Sequence, residues 1–243
     1  MLHAILNGKA KRISLMKNES QNWRSLFKHY EDLLTAAFWG RISYLSEESL
    51  CSFLSTLLAV DASSWGAFES ITFWPKYDFP DQIDKSVHRW VDDGSRFAEP
   101  DVVMNFAQAT LLIEVKPPAG GQQYQQQWCK EIYAWQKSEG KNTELHFLAL
   151  GNVPANAQAL FAELESIFTG VIFHCQEWRS VREKLQYPER TWPTRQEQKI
   201  VADCLHALAL YGIREPLKPW CAFLNFVSSS SLPDDFSYLK GKQ

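Results

Sequence analysis

The sequence has 243 residues, 45% of them hydrophobic and 22% charged, enough apolar content for one sizeable core with an appendage. A net charge of −3 excludes nucleic-acid binding through bulk electrostatics and confines any such contact to a local patch. Cys51, Cys129, Cys175, Cys204 and Cys221 are scattered without a CxxC pair, which excludes a disulfide framework or a cysteine-based zinc site, and no stretch reaches the ~20 apolar residues of a transmembrane helix, so a soluble cytoplasmic protein without membrane contact is expected.

Residues 1–22 read as an arm, because their apolar run is too short for a signal peptide and its charges follow it instead of preceding it. Residues 23–60 are helical. Leu34, Phe38, Ile42 and Leu45 recur at spacings of three and four, and Leu50, Phe53, Leu54, Leu57 and Leu58 continue the pattern. Ser46, with Glu48 and Ser49 close behind, suits an N-cap, so two helices are expected. WGAFESITFWPKY (65–77) reads as a strand broken at Pro75, and a polar loop follows to about Gly94.

A hairpin over about 96–116 comes next, then a PPAGG turn. Residues 122–138 form a helix with Tyr124, Trp128, Ile132 and Trp135 along one stripe. LHFLALG (145–151) suits a buried strand, 155–168 a helix, and VIFHC (171–175) another strand. Past Tyr187-Pro188 the chain changes character. A helix runs from Gln196 to Tyr211, ends at Gly212, and leads to a Ser- and Pro-punctuated tail with SSSS at 228–231. The expected organisation is an arm (1–22), a core (23–187) and a C-terminal helical extension of the same domain (188–243). The order helix, three strands, helix, strand, helix, strand defines an α/β domain with a mixed central sheet flanked by helices.

The hairpin segment EPDVVMNFAQATLLIEVKPP (99–118) carries the chemistry. With its turn centred between Ala107 and Gln108, Asp101 faces Glu114, Val103 faces Leu112, and Asn105 faces Thr110. One face then presents Asp101, Val103, Asn105, Thr110, Leu112, Glu114 and Lys116. The other presents only Val102, Met104, Phe106, Ala109, Leu111, Ile113 and Val115. Two carboxylates and an ammonium meet at one end. Carboxylates this close repel unless a cation neutralises them, and hard oxygen ligands of this kind describe a Mg²⁺ site. The plainer reading is a pair of edge charges with a surface ion pair of under about 1 kcal/mol. Pro80-Asp81 and Pro233-Asp234 lack an acid-x-Lys at the end of a following strand.

Pro100-Asp101 followed by Glu114-Val115-Lys116 resembles the PD-(D/E)XK nuclease superfamily, which includes restriction-endonuclease-like and RecB-like enzymes. The match covers an αβββαβ order from about residue 23 to 175. The resemblance implies a restriction-endonuclease-like core. It puts Asp101, Glu114 and the main-chain carbonyl of Val115 on the metal, with Lys116 orienting or helping to activate the attacking water. It matches Glu31 to the acid of the first core helix, although a first-turn acid favoured by the helix dipole reads equally well. Gln127 matches the glutamine that RecB-like members place near the active site, and Gln123, one turn earlier, competes for that role. RecB-like members carry a Tyr four positions after that glutamine. Here Glu131 stands in its place, a departure from the exonuclease subgroup.

Arg179, Arg182, Lys184, Arg190 and Arg195, interleaved with Trp178, Tyr187 and Trp192, are the best local candidates for a nucleic-acid track, against the ordinary alternative of a solvated charged face. Trp178-Arg179 reads as a phosphate contact or as a cap on the domain edge. Zinc-hydrolase, P-loop and serine-hydrolase signatures are absent from the sequence. The expected function is a Mg²⁺-dependent nuclease acting on DNA, with Mn²⁺ able to substitute, in phage defence, restriction or DNA processing. A homodimer or a defence-system partner protein fits that setting. The alternative is a catalytically silent nuclease-fold subunit, for which the aromatic segment PWCAFLNF (219–226) offers a protein-binding patch.

Overall fold

Two helices lead into the core because Ser46 interrupts one apolar stripe and starts another. The computed structural model describes residues 13–15, 19–21, 30–91, 94–139, 143–186 and 192–214. A short antiparallel ladder joins β1 (Ile13–Leu15) to β2 (Glu19–Gln21). Helix α1 (Glu31–Ile42) buries Leu34, Phe38 and Ile42, and α2 (Glu47–Leu58) buries Leu50, Phe53, Leu54 and Leu57. The Ser46 side chain accepts from the Ser49 N–H as the N-cap of α2.

After a 3-10 turn (Ala62–Trp65), β3 (Phe68–Phe73) ends two residues before Pro75, as a proline demands at a strand end. The segment expected to be loop up to Gly94 contains more structure. Strand β4 (Tyr77–Asp78) pairs with β5 (Phe97–Ala98), and the one-turn helix α3 (His88–Val91) buries Trp90 and Val91. Val87, Trp90 and Val91 have helical spacing, but one turn between Asp- and Lys-rich stretches is too short for periodicity to register.

The hairpin strands are β6 (Val102–Phe106) and β7 (Ala109–Val115), antiparallel, with Val103 opposite Leu112 and Asn105 opposite Thr110. Helix α4 (Gln125–Glu139) follows the PPAGG turn. Trp128, Ile132 and Trp135 lie on its buried side, but Tyr124 stands just before the helix and is 58% exposed, so it does not belong to that stripe. Then come β8 (Glu144–Leu150), α5 (Ala157–Glu165), β9 (Val171–Gln176), α6 (Trp178–Leu185) and α7 (Arg195–Leu210). Helix α6 goes beyond the sequence expectation. Trp178, Val181, Arg182 and Leu185, at i, i+3, i+4 and i+7, are its buried residues.

The five-stranded sheet has the order β3-β6-β7-β8-β9, antiparallel up to β7 and parallel from β7 to β9. The fold is therefore mixed α/β, with helices on both faces of the sheet. On one face Val102, Met104, Phe106, Ala109, Leu111, Ile113 and Val115 pack with α1, α2, α6 and α7. On the other, Val103 and Leu112 join Trp128, Ile132, Phe147 and Phe161 from α4, β8 and α5. All seven residues of β7 are buried, as expected for a central strand covered on both sides.

The elements described above belong to one compact unit that ends at Ile213. The aromatic segment 219–226, the SSSS run, Pro233-Asp234, Cys221, Tyr187 and Arg190 lie outside the described residues. Among the described residues, no helix is long and apolar enough to cross a membrane.

Candidate metal centre

The polar end of the hairpin lies where β7 leaves the sheet, with α1 and α4 converging on it. Asp101 precedes β6 and is 4% exposed. Its Oδ2 accepts the Val115 N–H at 2.8 Å and its Oδ1 accepts the Trp74 indole N–H at 3.2 Å. Glu114, the penultimate residue of β7, is buried. Its Oε1 accepts from the Lys116 ammonium and, at 2.6 Å, from the Gln127 amide. Lys116 is also buried, and its Nζ bonds both carboxylate oxygens of Glu31 at 3.1 Å each. Glu31 opens α1, where the helix dipole favours an acid, and it is only half-buried. Glu31, Asp101 and Glu114 each offer one carboxylate oxygen within 4.8 Å of the other two.

The backbone around Lys116 is locked. Its N–H donates to Leu150 O at 2.7 Å and its carbonyl accepts the Trp178 indole N–H at 2.8 Å. Gly151, at φ +82°, makes this approach possible: a Cβ there would stand 2.2 Å from the Lys116 carbonyl oxygen and 2.7 Å from the indole nitrogen. The Trp178 indole is therefore committed to the scaffold, which favours the domain-edge cap over the phosphate contact.

The two competing glutamines separate. Gln123 is 5% exposed, donates to the main-chain oxygens of Glu114 (3.1 Å) and Leu150 (3.3 Å), and accepts the Trp128 indole N–H at 2.7 Å. It satisfies backbone, while Gln127 is the one that reaches a site carboxylate. Sequence reasoning did not assign roles to two further residues. Glu131, one helical turn beyond Gln127 and fully enclosed, hydrogen-bonds Glu114 through its side chain. Among the described residues its Oε2 is buried without a hydrogen-bond partner. The i+4 spacing from Gln127 was the available signal. Trp74 had none, because its contact with Asp101 crosses 27 residues of sequence.

The electrostatics follow from burial. Burial first, then Glu114 and Glu31, push the Asp101 carboxyl up to about 9, against the opposing Val115 hydrogen bond. Burial and the neighbouring Glu131 carboxylate raise Glu114 well above the ordinary carboxylate range. Burial lifts Glu131 to about 8, and burial also raises Glu31, opposed by Lys116. Burial alone would lower Lys116, but Glu114 and Glu31 outweigh it and hold the ammonium well above the usual lysine range. Four carboxyl groups thus share one ammonium, an imbalance that a bound cation would relieve.

The basic residues behave differently from one another. Arg179 is exposed, Arg182 is buried on the inner stripe of α6, and Lys184 donates to Leu57 O at 3.0 Å. Trp192 is partly buried and donates to Leu185 O at 3.3 Å. Arg182 and Lys184 are therefore turned to the protein body and do not continue a track from Arg179. A separate groove of about 770 Å³ between α1 and α7 is lined by Arg41, Arg195 and Lys199, together with Tyr44 and Asp203.

No protein-family model matches the chain, and no solved structure matches it. The sequence is similar to an uncharacterized protein of Pasteurella multocida (strain Pm70), with 26% identity over 247 residues that take in 96% of this chain and 89% of the relative.

Proposed function

We propose that the protein is a divalent-metal-dependent nuclease with a restriction-endonuclease-like core of the PD-(D/E)XK type, hydrolysing phosphodiester bonds in DNA. The observation that carries this reading is the convergence of Glu31, Asp101 and Glu114 oxygens within 4.8 Å of one another, beside a lysine ammonium that bonds two of the three. The donor set fits Mg²⁺ or Mn²⁺: all three are hard oxygen ligands, and two are buried carboxyls that a cation would return to the ionised state. Glu31, Asp101 and Glu114 would hold the ion, with the Val115 carbonyl as a further oxygen. When bound, the metal polarises the scissile phosphate and lowers the pKa of a coordinated water.

The chain's own residues supply the rest. Lys116 stays an ammonium next to Glu114 and Glu31, so it stabilises negative charge gathering on the phosphate and orients the attacking water by donation. With its proton held so firmly it is unsuited to act as the general base. Gln127 fixes Glu114 Oε1, and Glu131 supports the same carboxyl from behind. Phosphate contacts fall to the exposed Arg179 and to Arg41, Arg195 and Lys199 of the α1–α7 groove. Phage restriction or DNA processing, with a second copy or a partner protein, is the setting such an activity implies.

The test is cleavage of linear and circular duplex DNA, single-stranded DNA and RNA with Mg²⁺, Mn²⁺ or Ca²⁺, for wild type and Asp101→Ala. Cleavage with Mg²⁺ or Mn²⁺ that disappears in the variant supports the proposal and names the substrate. A well-folded wild type that cuts nothing under any condition sinks it in favour of an assembly subunit.

A further inference from the structure

Trp74 sits between the end of β3 and Pro75 with φ +49°, the left-handed region. For a bulky side chain this is an outlier. It is the more unusual because a following proline drives the preceding residue toward extended conformations. Among the described residues, two other non-glycine positions share a positive φ: Ala59, which closes α2, and Asn152, whose side-chain amide bonds three carbonyls of the PPAGG turn. Each has a local reason. Such a conformation is costly and persists only where the surroundings over-determine it.

What holds Trp74 is Asp101. The Trp74 main-chain N–H donates to Asp101 O at 3.1 Å and its indole N–H to Asp101 Oδ1 at 3.2 Å. The last ladder pair of β3 and β6 is Phe73 with Val102, so Trp74 and Asp101 are the next residues outward. An extended Trp74 would simply prolong the ladder. The left-handed turn instead coincides with an indole N–H directed at the carboxylate. Asp101 Oδ2 is already fixed by the Val115 N–H, so the two donors take different oxygens. Rotation of the carboxylate is thereby set from both sides, while each oxygen retains acceptor capacity for a cation.

We propose that Trp74 is the positioning residue of the metal centre: its strained turn aims the indole N–H at Asp101 and sets the orientation in which that carboxylate meets a divalent cation beside Glu31 and Glu114. The proposal rests on the metal-centre reading given above. Partners behind a metal-binding carboxylate tune affinity through orientation, and their loss weakens binding about 10- to 100-fold.

The experiment measures Mn²⁺ affinity of the full chain by calorimetry and by the free-ion electron paramagnetic resonance signal, with melting in EDTA alongside. Trp74→Phe keeps an aromatic ring and removes the donor. It is expected to bind Mn²⁺ about 10-fold more weakly than wild type or worse. Trp74→Gly relaxes the backbone and also lacks the donor, so it is expected to lose affinity equally while melting no lower than Trp74→Phe. It also serves should the Phe variant not fold. Phe68→Leu alters a ring at the far end of β3, which packs on Phe106 and not on Trp74, and is expected to bind like wild type. Affinity within twofold of wild type in both Trp74 variants overturns the positioning role and leaves the metal centre standing, as does an equal loss in Phe68→Leu. A wild type that binds no Mn²⁺ overturns the metal centre and this role with it.

Discussion

Asp101→Asn should make the metal-free protein more stable while abolishing its response to metal. In the absence of a cation, burial and the adjacent Glu114 and Glu31 hold the Asp101 carboxyl at about 9. An unfolded chain releases that proton near about 3.9, so at pH 7 folding works against a penalty of at most about 4 kcal/mol, at about 1.4 kcal/mol per pH unit. Asn removes the penalty and can keep the Val115 hydrogen bond through its carbonyl oxygen. Its amide nitrogen then faces the Trp74 indole N–H, donor against donor, where wild type has a 3.2 Å bond. That mismatch costs about 1–3 kcal/mol. The net expectation is a gain of about 1–3 kcal/mol in EDTA, or a melting temperature higher by roughly 2–10 °C. Calorimetric melts of both proteins, in EDTA and in Mg²⁺, read the two effects separately. An Asp101→Asn protein that melts below wild type in EDTA, or one that Mg²⁺ still stabilises, refutes the reasoning.

Other perturbations probe the same electrostatics. Lys116→Met keeps the apolar stem but leaves Glu114 and Glu31 without their ammonium; it should reduce cleavage about 10²- to 10³-fold and stability by about 3 kcal/mol, with Mn²⁺ affinity in calorimetry no weaker than wild type. Because the folded metal-free protein retains protons on Asp101 (about 9) and Glu131 (about 8) that the unfolded chain loses, its stability should fall as the pH rises from the ordinary carboxylate range toward those values. The stabilising increment from Mg²⁺ should grow over the same window, and a metal-free melting temperature that climbs with pH would contradict both statements. Replacing Arg195 and Lys199 by Glu should weaken DNA binding and flatten its salt dependence, by about 0.9 in log–log slope for each phosphate that is no longer neutralised, as titrations at several salt concentrations would show. An unchanged slope removes the groove from the DNA-binding surface.

Much of this geometry is local and can be read from residue order. A two-residue period sorts side chains onto opposite faces of a strand, so the pairing of Val103 with Leu112 and the apolar face from Val102 to Val115 follow from alternation alone. That register places Asp101, Glu114 and Lys116 together. The Ser46 cap and the helix ending before Gly212 are likewise short-range signals. Helix α6 could have been read from the spacing of Trp178, Val181 and Leu185. The same spacing puts Arg182 on the buried stripe and away from any nucleic-acid track.

What the amino-acid order determined by itself is thus the strand faces, the helix caps and the acid-acid-lysine edge. Only tertiary packing decided which distant groups complete that edge. Glu31 meets Lys116 across 85 residues, Trp74 meets Asp101 across 27, and Gln127 is chosen over Gln123 because the latter's amide is consumed by β7 and β8 carbonyls. The physical reason is that periodicity and capping act over one or two turns of chain. The burial that brings four carboxyls around one ammonium arises only when α1, α4 and the hairpin close on each other.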